Sequence, residues 1–279
     1  MEFVVGLLLT LLLLAVIVSG LWLLALRGNP SNSDFYGLAK FRFAHRGLYH
    51  PERNIPENSL RAFRTAVKNG YGAELDVHLS QDERLVVMHD ENLQRMTGLD
   101  KDICDVTAET LDALNLETTG EKIPYLEEVL PIFDGKAPLI IEIKTKDKNY
   151  AQLTKKVCSL LERYEDLPFC IESFDPRVLI WLRKNEPSIL RGQLSQNFMK
   201  DRSGLKLPMA FVLTNLLTNI LAQPDFIAYR YKDRNCLPLR LCKRVWHTQE
   251  VSWTIRRQKE ANEALKRNAL VIFEGFAAE

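Results

Sequence analysis

Short apolar runs alternate with helical stretches after about residue 40, and the strand-like runs number eight once one hairpin arm is set aside. That order predicts a (β/α)8 TIM barrel. A second observation agrees. In Ala73-Glu74-Leu75-Asp76-Val77-His78-Leu79 the two-residue strand period puts Glu74, Asp76 and His78 on one face and the apolar residues on the other, as a stave covered by helices and open to a lumen requires. A third is length: of 279 residues, roughly 240 follow an apolar N-terminal run, enough for one barrel-sized domain with a substantial core.

Phe3 to Leu26 is apolar apart from Thr10, Ser19 and two glycines, and at 1.5 Å per residue it crosses a hydrocarbon layer of ~30 Å. No basic residue precedes it and no small-x-small exit follows, so residues 1–27 read as one uncleaved transmembrane helix. Arg27, Lys40 and Arg42 lie just after the span, which places the main domain in the cytoplasm of a single-pass protein of the cell membrane. Residues 28–40 form a linker, polar through Gly28-Asn29-Pro30-Ser31-Asn32-Ser33-Asp34, and residues 41–279 form the barrel.

The first stave is Phe41 to Ala44, followed by a helix over Leu60 to Lys68 that Asn58 or Ser59 caps and Asn69-Gly70 ends. The second stave is Gly72 to Leu79. Ser80 to Arg84 is too short for a parallel crossover, so Leu85 to His89 must fold back antiparallel. Residues from about 80 to 120 therefore form a small insertion after the second barrel strand, over the barrel mouth. Six further staves follow at Leu139 to Lys144, Phe169 to Phe174, Leu190 to Leu194, Phe226 to Tyr229, Val251 to Ile255 and Leu270 to Phe273. Helices separate them near Asn149 to Tyr164, Pro176 to Lys184, Leu205 to Leu221, Arg234 to Arg244 and Arg256 to Arg267.

Composition excludes several classes. A net charge of +1 makes no electrostatic case for nucleic acid. Five cysteines without a C-x-x-C pair suggest neither a zinc site nor a disulfide framework.

The chemistry concentrates between Phe41 and Asp90. Ala44-His45-Arg46-Gly47, Pro56-Glu57-Asn58-Ser59, Glu74-Leu75-Asp76-Val77 and Val87-Met88-His89-Asp90 bring two histidines and paired carboxylates onto short apolar stems. Carboxylates at i and i+2 of one strand face converge, and their repulsion is relieved by a proton or by a hard cation such as Mg²⁺ or Ca²⁺. Alternation alone also fits a solvated strand face. Glu142, between Ile141 and Ile143, adds a third carboxylate at lumen level, and Lys144 on the same face would hold a phosphate oxygen as a point charge.

Taken together, these motifs resemble the glycerophosphodiester phosphodiesterase family. The likeness runs over about residues 41 to 276 and also includes Ile-Pro-Tyr-Leu-Glu-Glu-Val-Leu at 123–130, Ile-Glu-Ile-Lys at 141–144, Glu-Ser-Phe-Asp at 172–175 and Ser-Trp-Thr-Ile at 252–255. The resemblance implies a TIM barrel with a small insertion after the second strand. It implies a divalent cation on Glu74, Asp76 and Glu142, with His45 and His89 as the general acid/base pair. Two departures stand out: Ser59 replaces a usual Thr, and Glu274 falls where many members carry Thr-Asp-x-Pro, so no role for the last strand is carried over.

The activity so implied is hydrolysis of glycerophosphodiesters to glycerol 3-phosphate and an alcohol. A membrane lysophospholipase D acting on lysophospholipids is the enzymatic alternative, and a tethered binding barrel that has lost its chemistry is the other class. All five candidate residues are present, which argues against the last. Arg46 can fork onto phosphate oxygens, although strand alternation points it away from His45. Trp253 walls the substrate pocket or fills the barrel core. Glu57 is expected to support its loop, His78 to be structural, and the basic cluster Arg230, Lys232, Arg234, Arg240, Lys243 and Arg244 to be a solvated helix face. The partners expected are the phosphodiester substrate and the lipid bilayer.

Overall fold

A computed structural model describes residues 2–29, 35–202 and 204–279; residues 30–34 of the expected linker lie outside it. The apolar run forms helix α1 (Glu2–Ala25), none of whose side chains is buried. Its C-terminal end is tied to the rest of the chain: Leu26 is fully buried beside Leu216, Ile227 and Cys242, and the Trp246 indole N–H donates to the Leu23 carbonyl at 2.9 Å. Gly28 passes so close to Pro224 that any Cβ there would sit 2.8 Å from its carbonyl oxygen. Asn29 donates to Asp225 at 2.7 Å. Gly28 and Asn29, at the start of the linker, are thus packed down.

After the short α2 (Phe35–Leu38), the chain runs through β1 (Phe43–His45), α3 (Leu60–Lys68), β2 (Gly72–Leu79) and β3 (Leu85–Val87). Next come α4 (Gln94–Thr97), α5 (Ala108–Ala113), α6 (Leu126–Phe133) and β4 (Leu139–Ile143). Then follow α7 (Tyr150–Leu161), β5 (Phe169–Ser173), α8 (Pro176–Asn185), β6 (Arg191–Ser195), α9 (Leu207–Thr214) and α10 (Asn219–Ala222). The chain closes with β7 (Phe226–Arg230), α11 (Leu237–Val245), β8 (Gln249–Ile255), α12 (Gln258–Leu265) and β9 (Leu270–Phe273).

Eight parallel strands close into a barrel in the order β1-β2-β4-β5-β6-β7-β8-β9, with β9 paired back to β1. β3 lies outside it, paired antiparallel to β2. With α4 and α5 it encloses a small apolar cluster of its own, including Met88, Leu93, Met96, Ile103 and Leu111, so the excursion after β2 is a compact cap. Ser59 caps α3 by accepting from the Ala62 amide at 3.1 Å, and the inner face of that helix buries Ala62, Phe63 and Ala66.

The core is layered as strand parity demands. Leu75, Val77, Ile141, Ile143 and Ile171 face outward into the helix ring, while Phe43, Ile140, Phe226 and Val251 fill the lower lumen. Gly192 leaves the space for one of them: a Cβ there would fall 2.0 Å from the Phe226 ring. Phe35 closes the lumen from below, edge-on to Phe226 at 5.5 Å between ring centroids.

One helix differs from expectation. Instead of a continuous segment over Leu205 to Leu221, α9 and α10 are separate, because Leu216 adopts a left-handed conformation (φ 54°) that turns its side chain into the cluster around Leu26. Burial of that leucine outweighs continued helix propensity.

Candidate active site

The barrel mouth follows from strand register. His45 pairs with Glu74, Asp76 with Glu142, and Glu142 with Glu172, so neighbouring staves carry ionisable groups at adjoining levels of the lumen. One oxygen from each of Glu74, Asp76 and Glu142 lies within 4.8 Å of the others, and all three residues are buried. These are the three carboxylates expected to hold a cation. Asn58 donates to Asp76 Oδ2 at 2.9 Å, and Lys144 Nζ lies 3.1 Å from Asp76 Oδ1 and 2.8 Å from Glu142 Oε1.

The charges in this layer are in conflict. Burial and the neighbouring Asp76 and Glu142 raise Glu74 well above the usual carboxylate range, and burial, partly opposed by Lys144, raises Glu142 to about 7. Burial also raises Glu172, whose Oε2 has no hydrogen-bond partner. Asp76 goes the other way, since Lys144, His89 and Arg46 outweigh its burial and hold it ionised. Buried oxygen donors with surplus negative charge suit a hard divalent cation, which would relieve the repulsion. The residues present fit such an ion.

Above this floor opens a cavity of about 440 Å³ lined by His45, Arg46, His89, Lys144 and Trp253, with Glu74 and Glu142 at its base. His45 ends β1, and its Nδ1 donates to Glu274 Oε2 at 2.7 Å. Nε2 is left facing Glu74, 3.8 Å away. His89 follows β3 and donates from Nδ1 to Asp90 at 2.7 Å. Burial lowers the pKa of both imidazoles, although the hydrogen bond to Glu274 opposes it at His45 and the charge of Asp76 opposes it at His89. Each ring is therefore held at Nδ1 and free at Nε2, the arrangement by which an imidazole passes a proton.

Arg46 breaks strand alternation. Its φ is 56° and that of Gly47 is 79°, so the backbone turns sharply and returns the Arg46 side chain to the same cavity as His45. A Cβ on Gly47 would meet Ala62 Cβ at 2.9 Å, so α3 packs against the turn and only glycine fits. Glu57 accepts from Arg46 at 2.8 Å and from Arg95 at 2.6 Å, and Arg95 in turn donates to Asp90 at 2.5 Å. This chain of ion pairs joins the loops that carry the two histidines. His78 donates from Nε2 to the His89 carbonyl at 3.2 Å. Trp253 meets Phe174 edge-on at 5.7 Å, and its indole N–H is buried without a hydrogen-bond partner.

Several residues at the mouth were given no site role by the sequence reading: Tyr49, Glu172, Arg256 and Glu274, together with Arg230 and Lys232, which line the cavity wall and not the solvated helix face expected of them. Glu172 had a readable signal, since it has the lumen parity of Glu142. Glu274 had none: it is set beside His45 by the pairing of Ala44 with Phe273, which closes the barrel.

Paired imidazoles and cationic side chains over a buried carboxylate floor, at the C-terminal mouth of a closed barrel, define an enzyme built for an anionic ester. The chain belongs to the glycerophosphoryl diester phosphodiesterase family, whose model matches residues 45–225, and is thereby a phosphoric diester hydrolase. A glycerophosphodiester phosphodiesterase of Caldanaerobacter subterraneus subsp. tengcongensis is 35% identical over 190 residues, covering 64% of this chain and 77% of that protein. The structure of a Parabacteroides distasonis glycerophosphodiester phosphodiesterase superposes with a TM-score of 0.65 at 26% identity, over 84% of this chain and 92% of the other. The Oleispira antarctica phosphodiesterase in complex with the product sn-glycerol-3-phosphate shares the fold, with a TM-score of 0.70 at 21% identity over 86% and 94% of the two chains.

Proposed function

We propose that this chain hydrolyses glycerophosphodiesters to glycerol 3-phosphate and an alcohol, with His45 and His89 as the proton-transfer pair and a divalent cation, Mg²⁺ or Ca²⁺, on Glu74, Asp76 and Glu142. The observation that carries the reading is the convergence of three buried carboxylates within 4.8 Å beneath two imidazoles, each held at Nδ1 by an acidic partner. The product bound in the Oleispira antarctica phosphodiesterase supports glycerol 3-phosphate as the product here.

When bound, the cation neutralises charge that grows on a phosphate oxygen as the ester is attacked. The protein's own groups do the rest. One neutral imidazole takes the proton of the attacking hydroxyl and the other, protonated, gives one to the departing alkoxide. Arg46 and Lys144 draw the phosphate to the floor by charge, and Trp253 walls the far side with an unsatisfied indole donor. Water-soluble glycerophosphodiesters and lysophospholipids both present the bond that this site would cleave.

The membrane reading belongs here too. The proposed division is an anchor over 1–27, a linker over 28–40 and a barrel over 41–279 with an insertion at about 80–120, the catalytic domain lying in the cytoplasm. The unburied apolar α1 supports the anchor, and packing of Phe35 and Leu38 under the barrel extends its interior into the linker. The function is tested by release of glycerol 3-phosphate from glycerophosphocholine by the full chain in detergent, with and without EDTA. Release that survives both EDTA and His45→Ala would sink the proposal.

A further inference from the structure

Beside the catalytic cavity lies a second and larger one, of about 720 Å³, which shares His89, Glu142, Lys144 and Phe174 with it. Its character changes with distance from the carboxylate floor. The near end is polar; the far end is made by Phe198, Leu205, Met209 and Leu213. Phe174 stands between the two chambers, edge-on to Trp253 on one side at 5.7 Å and to Phe198 on the other at 6.1 Å. The hydrolytic site thus continues into an apolar slot of a size that ligand pockets have.

The outer wall of that slot is α9. Met209 lines the slot and is also 48% exposed, and on the same helix Leu207 and Phe211 are half exposed. The apolar surface goes on through Ile220 and Leu221 of α10, which packs against α1. An apolar strip therefore connects the end of the membrane-crossing helix with the rim of the slot. A soluble headgroup diester has no use for such a surface, whereas a lipid with one long chain does.

We propose that the slot formed by Phe198, Leu205, Met209 and Leu213 is an acyl-chain subsite, and that the substrate is a single-chain glycerophospholipid drawn from the bilayer around α1. This rests on the hydrolase reading above. With the chain in the slot and the phosphodiester over the carboxylate floor, water's oxygen bonds to phosphorus and the bond from phosphorus to the headgroup oxygen breaks. The headgroup leaves as its alcohol with a proton from water, and the acylglycerol phosphate remains.

The test uses the full chain reconstituted in phosphatidylcholine vesicles, with choline release as the common readout for palmitoyl-lysophosphatidylcholine and for glycerophosphocholine. Wild type is expected to show a kcat/KM at least tenfold higher for the lysolipid. Met209→Glu, at a half-exposed position, and Leu205→Ser, which adds no charge, are each expected to cut the ratio of the two kcat/KM values by at least tenfold. A ratio unchanged in both variants, or a wild type that cleaves glycerophosphocholine and leaves the lysolipid intact, overturns the subsite. Failure to release choline from either substrate overturns the hydrolase reading itself, and the subsite with it.

Discussion

Replacing Glu274 with glutamine isolates the part of the site that lies outside the family pattern. The Glu274 carboxylate accepts from His45 Nδ1 at 2.7 Å and from Arg256 Nη2 at 2.9 Å. Burial alone would raise its pKa, but the His45 hydrogen bond and charge, with those of Arg256, outweigh it and hold the group at about 2 against an ordinary 4.5. That difference corresponds to about 3 kcal/mol of preference for the ionised form. Arg256 is more than half exposed, so solvent screens its share, and the loss of stability expected for Glu274→Gln at pH 7 is about 1–2 kcal/mol.

The sign with pH follows from the depressed folded pKa. Glu274 adds its stability above about pH 4.5, and the contribution is lost as pH falls through about 2, so the melting curves of the two proteins converge over that window. Catalysis should suffer more than stability. Exchanging a charged acceptor for a neutral amide weakens the His45 hydrogen bond by about 1.5–3 kcal/mol, and the amide can also donate, which would put the imidazole proton on Nε2. A kcat loss of about 10²-fold with KM changed less than about threefold is expected, and Glu274→Asp, which keeps the charge, should recover part of it. Steady-state kinetics on glycerophosphocholine decide the matter. A folded Glu274→Gln protein with kcat within threefold of wild type, or one whose whole deficit lies in KM, refutes the argument.

Other outcomes follow from the same site. Alanine at His45 or at His89 should lower kcat by about 10²–10⁴-fold while circular dichroism stays unchanged. Mg²⁺ or Ca²⁺ at about a hundred times its Kd should raise stability by about 2.7 kcal/mol, a gain of several degrees in Tm that Asp76→Asn abolishes; calorimetry with each ion also ranks them. Gly47→Ala forces a side chain into a left-handed turn against Ala62 and should cost about 1–3 kcal/mol in denaturant melts, with activity falling as Arg46 is displaced. If the barrel faces the cytoplasm, the partly exposed Cys104 should react with an impermeant maleimide only after cells are opened.

Much was legible because it depends on local periodicity. The two-residue strand period sends Glu74, Asp76 and Glu142 to the lumen and Leu75, Val77 and Ile141 to the helices wherever the staves end up. The short Ser80–Arg84 connection has room only for a hairpin, and a long run without charge is a helix fit for a bilayer. What stayed hidden depends on closure of the barrel or on single dihedral angles. Glu274 meets His45 across 229 positions only because β9 pairs with β1 in one register. Arg46 reaches the cavity because one backbone angle is positive, contrary to alternation. The helix expected over Leu205 to Leu221 breaks at Leu216 because burial against Leu26 is worth more than continued hydrogen bonding. The residues themselves determined which chemistry the chain carries, and placed Asp90 next to His89; tertiary structure alone decided that Glu274 holds His45 and what lies beside the cavity, since those contacts join segments that no local pattern connects.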